Sequence, residues 1–400
     1  MSAPEAILTL NAGSSSLKFA LFDAARKTCD RRYHGAISDI DSTPRLRVLD
    51  DASGEVLHDA DVVLPGHGQT AGFLLAWLEA HLPAQTIVAA GHRVVHGGPD
   101  HAAPVLLNRK TLTELRRYSR LAPLHMPHNL AAIETIWRRY PGLPQVACFD
   151  TAFHRGMSWN EQAWALPRDW FERGVLRYGF HGLSYEYIAD ALRDRPDIDA
   201  DSRIVIAHLG HGASLCALRG GRSVATTMGF TPLDGLPMAT RPGALDPGLV
   251  LWMLTGAGLS SRQVENLLNH RSGLLGLSGI SGDVATLLAS EEKAATEALD
   301  YFMHHTHKQI AAMAATLGGI DALVFTGGIG EKAPAIRAGI CERARWLGIE
   351  LDDDANLDNR GVISTASSPV TVLRIATDEE KMIAQHTRAL AVPNGNAAQE

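Results

Sequence analysis

Three glycine-rich turns are the segments of this chain best suited to chemistry. The first, Asn11-Ala12-Gly13-Ser14-Ser15-Ser16, follows the short apolar run Ile7–Leu10. The second, Gly210-His211-Gly212, follows Ile204–Leu209 and leads into Ala213 and Ser214. The third, Gly327-Gly328-Ile329-Gly330, follows Ala322–Thr326 and leads into Glu331. Successive backbone N–H groups in such turns can aim at one point, and without intervening side chains they form a concave receptor for an oxyanion, phosphate above all. One such turn could be a hairpin that needs glycine for geometry alone; three in one chain favour phosphate. Lys18, two positions beyond Ser16, could add a point charge there or stand as a solvated strand lysine.

Other chemistries find less support. The chain has no GxxxxGK[ST] phosphate loop and no GxSxG nucleophile elbow. Gly328, Gly330 and Ala333 do fit GxGxxA after a strand, with Glu350 and Asp352 downstream as dinucleotide binding would want. Too little chain follows, however, to build the rest of a dinucleotide domain. Cys29, Cys148, Cys216 and Cys341 are widely spaced, and His208-Leu-Gly-His211 lacks the glutamate of HExxH, so neither zinc nor a redox pair is indicated.

The elements that must position the turns repeat. Ile7–Leu10, a turn, then Leu17, Phe19 and Leu21 alternating with Lys18 and Ala20 read as strand, turn, strand. The run Ile204–Leu209, a turn and Leu215–Leu218 give the same design again, and Arg219-Gly220-Gly221-Arg222 predicts a tight hairpin into a third strand, Ser223–Met228. Leu299, Phe302, Met303, Ile310, Met313 and Leu317 stand at helical spacing within 291–317, and Gly318 can end that helix. Pro334 fits a helix's first turn. Segment 41–61 is polar and suits loops or edge strands, while 392–400 reads as a tail. These observations imply an α/β fold made by duplication, with a cleft between the halves and a change of domain after Asp150.

At 400 residues the chain exceeds a single core. A formal net charge of −7 argues against sequence-independent nucleic-acid binding, although a local group of arginines could hold one anion. No apolar run approaches the length of a membrane span and no basic leader opens the chain, so a cytoplasmic protein without nucleic-acid or membrane partners is expected.

With the turns in hand, the sequence resembles the acetate kinase family, in the larger group that includes sugar kinases, actin and the heat-shock chaperone ATPases. The resemblance is carried by LNAGSSSLKF (10–19), GHRVVHGG (91–98), APLHMPHN (122–129), FDTAFH (149–154), RYGFHGLSY (177–185), HLGHGAS (208–214), MGFTPLDGL (228–236), SGISGD (278–283) and FTGGIGE (325–331), in that order. It implies duplicated actin-like (ribonuclease H-like) domains with an interdomain cleft. Residues 1–150, with a C-terminal helix of about 385–400, would form the acceptor side, and 151–384 the nucleotide side.

The implied reaction is reversible, Mg²⁺-dependent transfer of the γ-phosphoryl group of ATP to acetate, giving acetyl phosphate and ADP, with Mn²⁺ as a substitute metal. A carboxylate with a pKa near 4 to 5 is already ionised at neutral pH, so the enzyme needs electrostatic stabilisation rather than a strong base. By resemblance, Arg93 holds the acceptor carboxylate, Arg241 and His181 contact the transferring phosphoryl group, and Asp150 organises metal-bound water or the neighbouring arginine. Asn11 and Glu379 lie on the metal side, and Asn11, Gly13, Ser14 and Ser16 form a phosphate loop. Val95, Leu124, Phe180 and Pro232 form a small pocket for the acyl methyl, with His125 nearby. Lys18, His208, Leu209, Gly210, His211, Gly212, Asp283, Val284, Ala285, Gly328, Ile329, Gly330, Glu331 and Lys332 serve the nucleotide.

His211, Ala285 and Lys332 replace the Asn, Arg and Asn usual in the family, and Pro242 and Ala244 alter the loop after Arg241. The family also implies a homodimer acting on small molecules. A propionate or butyrate kinase and a non-catalytic actin-like ATP-binding module are the alternatives.

Overall fold

A computed structural model describes residues 4–392 except 14, 65, 67 and 68. The chain divides into unit 1, Met1–Ala152 with Asp378–Glu400, and unit 2, Phe153–Thr377.

Unit 1 is built on eight strands: β1 (Glu5–Ala12), β2 (Leu17–Asp23), β3 (Arg31–Ser38), β4 (Arg45–Asp50), β5 (Val56–Asp61), β6 (Thr86–Val94), β7 (Val105–Leu106) and β8 (Gln145–Phe149). They lie in the order β5-β4-β3-β2-β1-β6-β8-β7. The first hairpin pairs antiparallel as expected, Leu10 opposite Phe19, whereas β1 with β6 and β6 with β8 are parallel. Leu8, Leu10, Phe19 and Leu21 face one side, against Leu74 and Leu78 of the helix Thr70–His81 and Ile136 of the helix Met126–Arg139. Ile7, Ala20 and Phe22 face the other side and meet Ala384. The polar segment 41–61 supplies β4 and the edge strand β5.

That second face corrects the expected boundary. The C-terminal helix runs Glu379–Ala391, not from about 385, and belongs wholly to unit 1. Asp378 starts it by accepting the Lys381 N–H (2.9 Å) and pairs with Arg31 of β3 (3.3 Å). Residues 378–384 are therefore bound to the first sheet instead of ending unit 2.

Unit 2 repeats the plan with β9 (Ile204–Leu209), β10 (Ala213–Arg219), β11 (Arg222–Thr226), β12 (Ala322–Thr326) and β13 (Thr371–Arg374), in the order β11-β10-β9-β12-β13. Its first three strands are antiparallel neighbours and the last two run parallel to β9, matching β3-β2-β1-β6-β8 strand for strand. The turn between β10 and β11 uses Gly220 and Gly221 at φ +58° and +69°, as the paired glycines predict. Tyr185, Ile188 and Leu192 of the helix Gly182–Arg193 cover one face of this sheet. The helix Lys293–Leu317 packs against β10, buries Leu299, Phe302, Ile310 and Leu317, and stops at Gly318, φ +74°. The four cysteines are buried thiols, and no helix among the described residues is long and apolar enough to cross a membrane.

Candidate active site

In unit 1 the candidate residues gather where the parallel strands end, the edge of an α/β sheet at which ligands are usually bound. β1 ends beside β6, and β6 beside β8, which brings Asn11, Arg93 and Asp150 together. The Arg93 Nε donates to both oxygens of Asp150 (2.8 and 3.0 Å), Nη2 donates to Asp150 Oδ2, and Nη1 donates to Asn11 Oδ1 (3.0 Å). Among the described residues, three of the guanidinium's five N–H groups are thus engaged. Burial opposes the charge on Arg93, but Asp150, Glu379 and Glu380 hold it firmly protonated.

Glu379, in the first turn of the C-terminal helix, lies 4.0 Å from Arg93 Nε and accepts from Asn11 Nδ2 (3.4 Å). Burial pushes its carboxyl up to about 7; Arg93 and Lys18 work against that, while Asp150 and Glu380 reinforce it. Lys18 is opposite Asn11 in the hairpin and shares its face. In the turn itself the Gly13 N–H donates to the Ser16 carbonyl (2.8 Å). Ser14 lies outside the described residues. Asn129, which the sequence motif contained but did not single out, ties two strand ends together: it accepts from Val95 N (3.0 Å) and donates to the Ala12 carbonyl (2.6 Å).

Buried Asp150 and partly buried Glu379 both lie beside Arg93, and these carboxylates could hold a divalent cation. Among the described residues no cluster of three or more His, Cys, Asp or Glu could cage an ion. One or two carboxylates are the protein ligands typical of a hard cation that keeps most of its water. Asn11 stands between Arg93 and Glu379, its oxygen accepting from Arg93 and its amide N–H donating to Glu379.

In unit 2, His181 stands at the start of the helix Gly182–Arg193 with φ +58°. Its Nδ1 is 2.8 Å from Ser214 Oγ, which is also bonded to the Tyr185 hydroxyl. Its ring stacks on His208 at 4.3 Å, and His208 Nδ1 is held by Ser184 Oγ (2.8 Å). Arg241 is anchored through Nη1 to the Pro232 carbonyl (2.8 Å). Both side chains reach one place: a Cβ added to Gly212 would lie 2.9 Å from Arg241 Nη2 and 3.2 Å from His181 Nε2. Glycine at 212 lets both side chains approach the main chain that closely.

Beside it opens a cavity of about 830 Å³, within the range of small-molecule sites. Residues from all three expected nucleotide segments line it: Gly210 and His211, Asp283 to Ala285, and Gly328, Ile329 and Lys332. Burial and the neighbouring Arg241 hold His211 below the usual histidine range. Asp283 is held low by hydrogen bonds from the Thr286 N–H and hydroxyl, which make it the cap of a short helix.

Several expectations are revised. The third glycine turn is not an open loop but a short helix, Gly327–Lys332, because the Glu331 carboxylate accepts the Gly327 N–H (3.0 Å) at its start and the Thr377 N–H (3.2 Å). Glu331 therefore braces a wall, and Leu209 is buried in the sheet. The opposite wall, Asp353, Asn356 and Leu357, carried no signal in the sequence. Arg337, fully buried, joins the walls by donating to the Gly330 carbonyl (2.9 Å) and to the side chain and carbonyl of Asn356 (2.7 Å each). The acids of the dinucleotide alternative are structural: Asp352 caps the helix Asp353–Leu357, and Glu350 binds the hydroxyls of Thr365 and Ser367.

Of the residues expected to line an acyl pocket, Val95 is buried and Leu124 partly exposed in unit 1; Phe180 is buried and Pro232 half-buried in unit 2. His125 precedes the helix Met126–Arg139.

The sequence profile of the Acetokinase family matches residues 6–385. The chain is similar to the acetate kinase of Rhodopseudomonas palustris, 49% identical over 398 residues, covering 97% of this chain and 98% of that one. It is 47% identical over 396 residues to the acetate kinase of Rhizobium meliloti, covering 98% and 100%. Among solved structures, a propionate kinase from Francisella tularensis superposes with a TM-score of 0.88 at 36% identity, covering 96% of this chain and 100% of that one. An acetate kinase from Porphyromonas gingivalis gives 0.85 at 34%, covering 96% and 99%.

Proposed function

The chain belongs to the acetokinase family, and on that premise we propose that it catalyses reversible, Mg²⁺-dependent, direct in-line transfer of the γ-phosphoryl group of ATP to acetate. The observation that carries this reading is the convergence of Arg241 and His181 over Gly212, next in sequence to the Gly210–His211 wall of the large cavity.

The nucleotide would lie in that cavity with its terminal phosphate toward Gly212. There Arg241 and His181 neutralise charge on the equatorial oxygens as it spreads in the transition state. The two N–H groups of Arg93 not engaged among the described residues orient the acceptor carboxylate, and Asp150 fixes the guanidinium for that task. No base is required, since the acceptor is already ionised. Glu379, with Asn11 beside it, would hold Mg²⁺, which when bound supplies the neutralisation of phosphate charge that two approaching anions demand. Ala285 removes the arginine that could stack on the base, so the apolar wall of Val284, Ala285, Leu288 and Ala338 grips the ring by contact alone.

A propionate acceptor is the second reading, favoured by the likeness to a propionate kinase structure. An apolar pocket discriminates against one added methylene by only about 1–3 kcal/mol. The protein would work in the cytoplasm as a homodimer. The helix Pro247–Thr255 supports the pairing: it buries none of its residues within the chain, and Leu251 and Trp252 are 62% and 59% exposed.

Hydroxylamine trapping of the acyl phosphate tests donor and acceptor together. Run with formate, acetate, propionate and butyrate, each against ATP, GTP and pyrophosphate, it should give most hydroxamate with acetate and ATP, less with propionate and little with butyrate. No hydroxamate with any pair would refute the reading.

A further inference from the structure

We infer that His154 is a positioning residue for His181, acting on it through two separate contacts. The inference rests on the proposed role of His181 at the phosphoryl group.

His154 follows β8 in sequence, lies in unit 2 and has no exposed surface. Both ring nitrogens are engaged, Nε2 with the Phe180 carbonyl (3.0 Å) and Nδ1 with Ser223 Oγ (2.7 Å). A carbonyl can only accept, so Nε2 carries the proton and Nδ1 accepts from the serine hydroxyl. Burial lowers the ring to about 4, which keeps it neutral in that one tautomer at working pH.

The carbonyl it grips belongs to the residue before His181. The backbone there is unusual on both sides: Gly179 has φ +72° and His181, although not glycine, has φ +58°. Glycine adopts such a conformation freely, but at His181 it persists only where the surroundings determine it. A Cβ on Gly179 would lie 2.6 Å from His154 Cδ2, so the imidazole is packed directly against this turn. This is the first contact, on the main chain leading into His181.

The second reaches the side chain. The His154 ring packs edge-on against Tyr185 (centroids 5.5 Å apart, 72°), and the Tyr185 hydroxyl shares Ser214 Oγ with His181 Nδ1. One neutral imidazole therefore sets both the backbone from which His181 projects and the group that orients its ring.

The test is a double-mutant cycle. His154→Phe should lower kcat by roughly 10- to 100-fold, the cost of a misplacement near one ångström, with KM for ATP and for the carboxylate changed less than about threefold. His154→Gln, whose amide can still donate to the Phe180 carbonyl, should recover most of that loss. Ser223→Ala, a milder change suited to the case in which His154→Phe fails to fold, should lose a few-fold in kcat. In a His181→Ala background both His154→Phe and Ser223→Ala should cost less than about twofold, because the group they position is gone. Equal losses in both backgrounds, or an unchanged kcat, would overturn the inference and leave the role of His181 standing. Normal turnover of His181→Ala alone would overturn the role and the inference together.

Discussion

The chemistry assigned to this chain depends on a few atoms with little freedom. Arg241 is tied by Nη1 to the Pro232 carbonyl, His181 by Nδ1 to Ser214, and both can lie against residue 212 because it has no side chain. Fixed charges of this kind stabilise a transition state without reorganising as charge develops. Gly212→Ala tests the geometry directly. Gly212 lies outside the left-handed region of backbone space, so alanine should fold normally while its methyl group pushes against both side chains. The expected result is a kcat lower by roughly 10- to 100-fold, with the melting temperature within a few degrees of wild type. In unit 1, three engaged N–H groups hold Arg93 in one orientation, as its proposed role toward the acceptor carboxylate requires.

At the scale of elements, the site follows from a topology that recurs. In both units the first strand leaves its hairpin partner on one side and takes parallel neighbours on the other, so that glycine turns and charged residues emerge together at the strand ends. Much of this was legible in residue order. Alternation in Leu17–Leu21, paired glycines at 220 and 221, and the apolar stripe of 293–317 closed by Gly318 are local signals, and local signals survive in a sequence. What was not legible depends on partners far along the chain. The helical form of Gly327–Lys332 is set by Glu331 reaching back to Gly327 and across to Thr377, where the glycines alone suggested an open loop. The wall at 353–357 reaches the cavity through Arg337, and no motif links the two. The start of the last helix at Glu379 is decided by the Asp378 cap and by Arg31, more than three hundred residues earlier. His154 lay inside a recognised motif, but its partners Phe180 and Ser223 give no mark in sequence of holding anything.

For the whole molecule, the two candidate sets divide between the units, Arg93, Asp150 and Glu379 in unit 1 and His181, Arg241 and the large cavity in unit 2. The exposed helix Pro247–Thr255 presents leucines and a tryptophan to water, an arrangement that a second copy would relieve. Light scattering should report twice the 43.0 kDa of one chain for the wild type, and Leu251→Glu combined with Trp252→Glu should shift it toward the single-chain mass. A wild-type monomer, or a variant of undiminished mass, would remove the homodimer from the account.

The central claim, that a fixed guanidinium stabilises the phosphoryl group in flight, is tested most directly by turnover and ADP affinity of Arg241→Ala measured on the same folded preparation. The account predicts that kcat falls by about 10²- to 10³-fold or more, with ADP bound nearly as tightly as by the wild type. Near-normal turnover by the variant would contradict it.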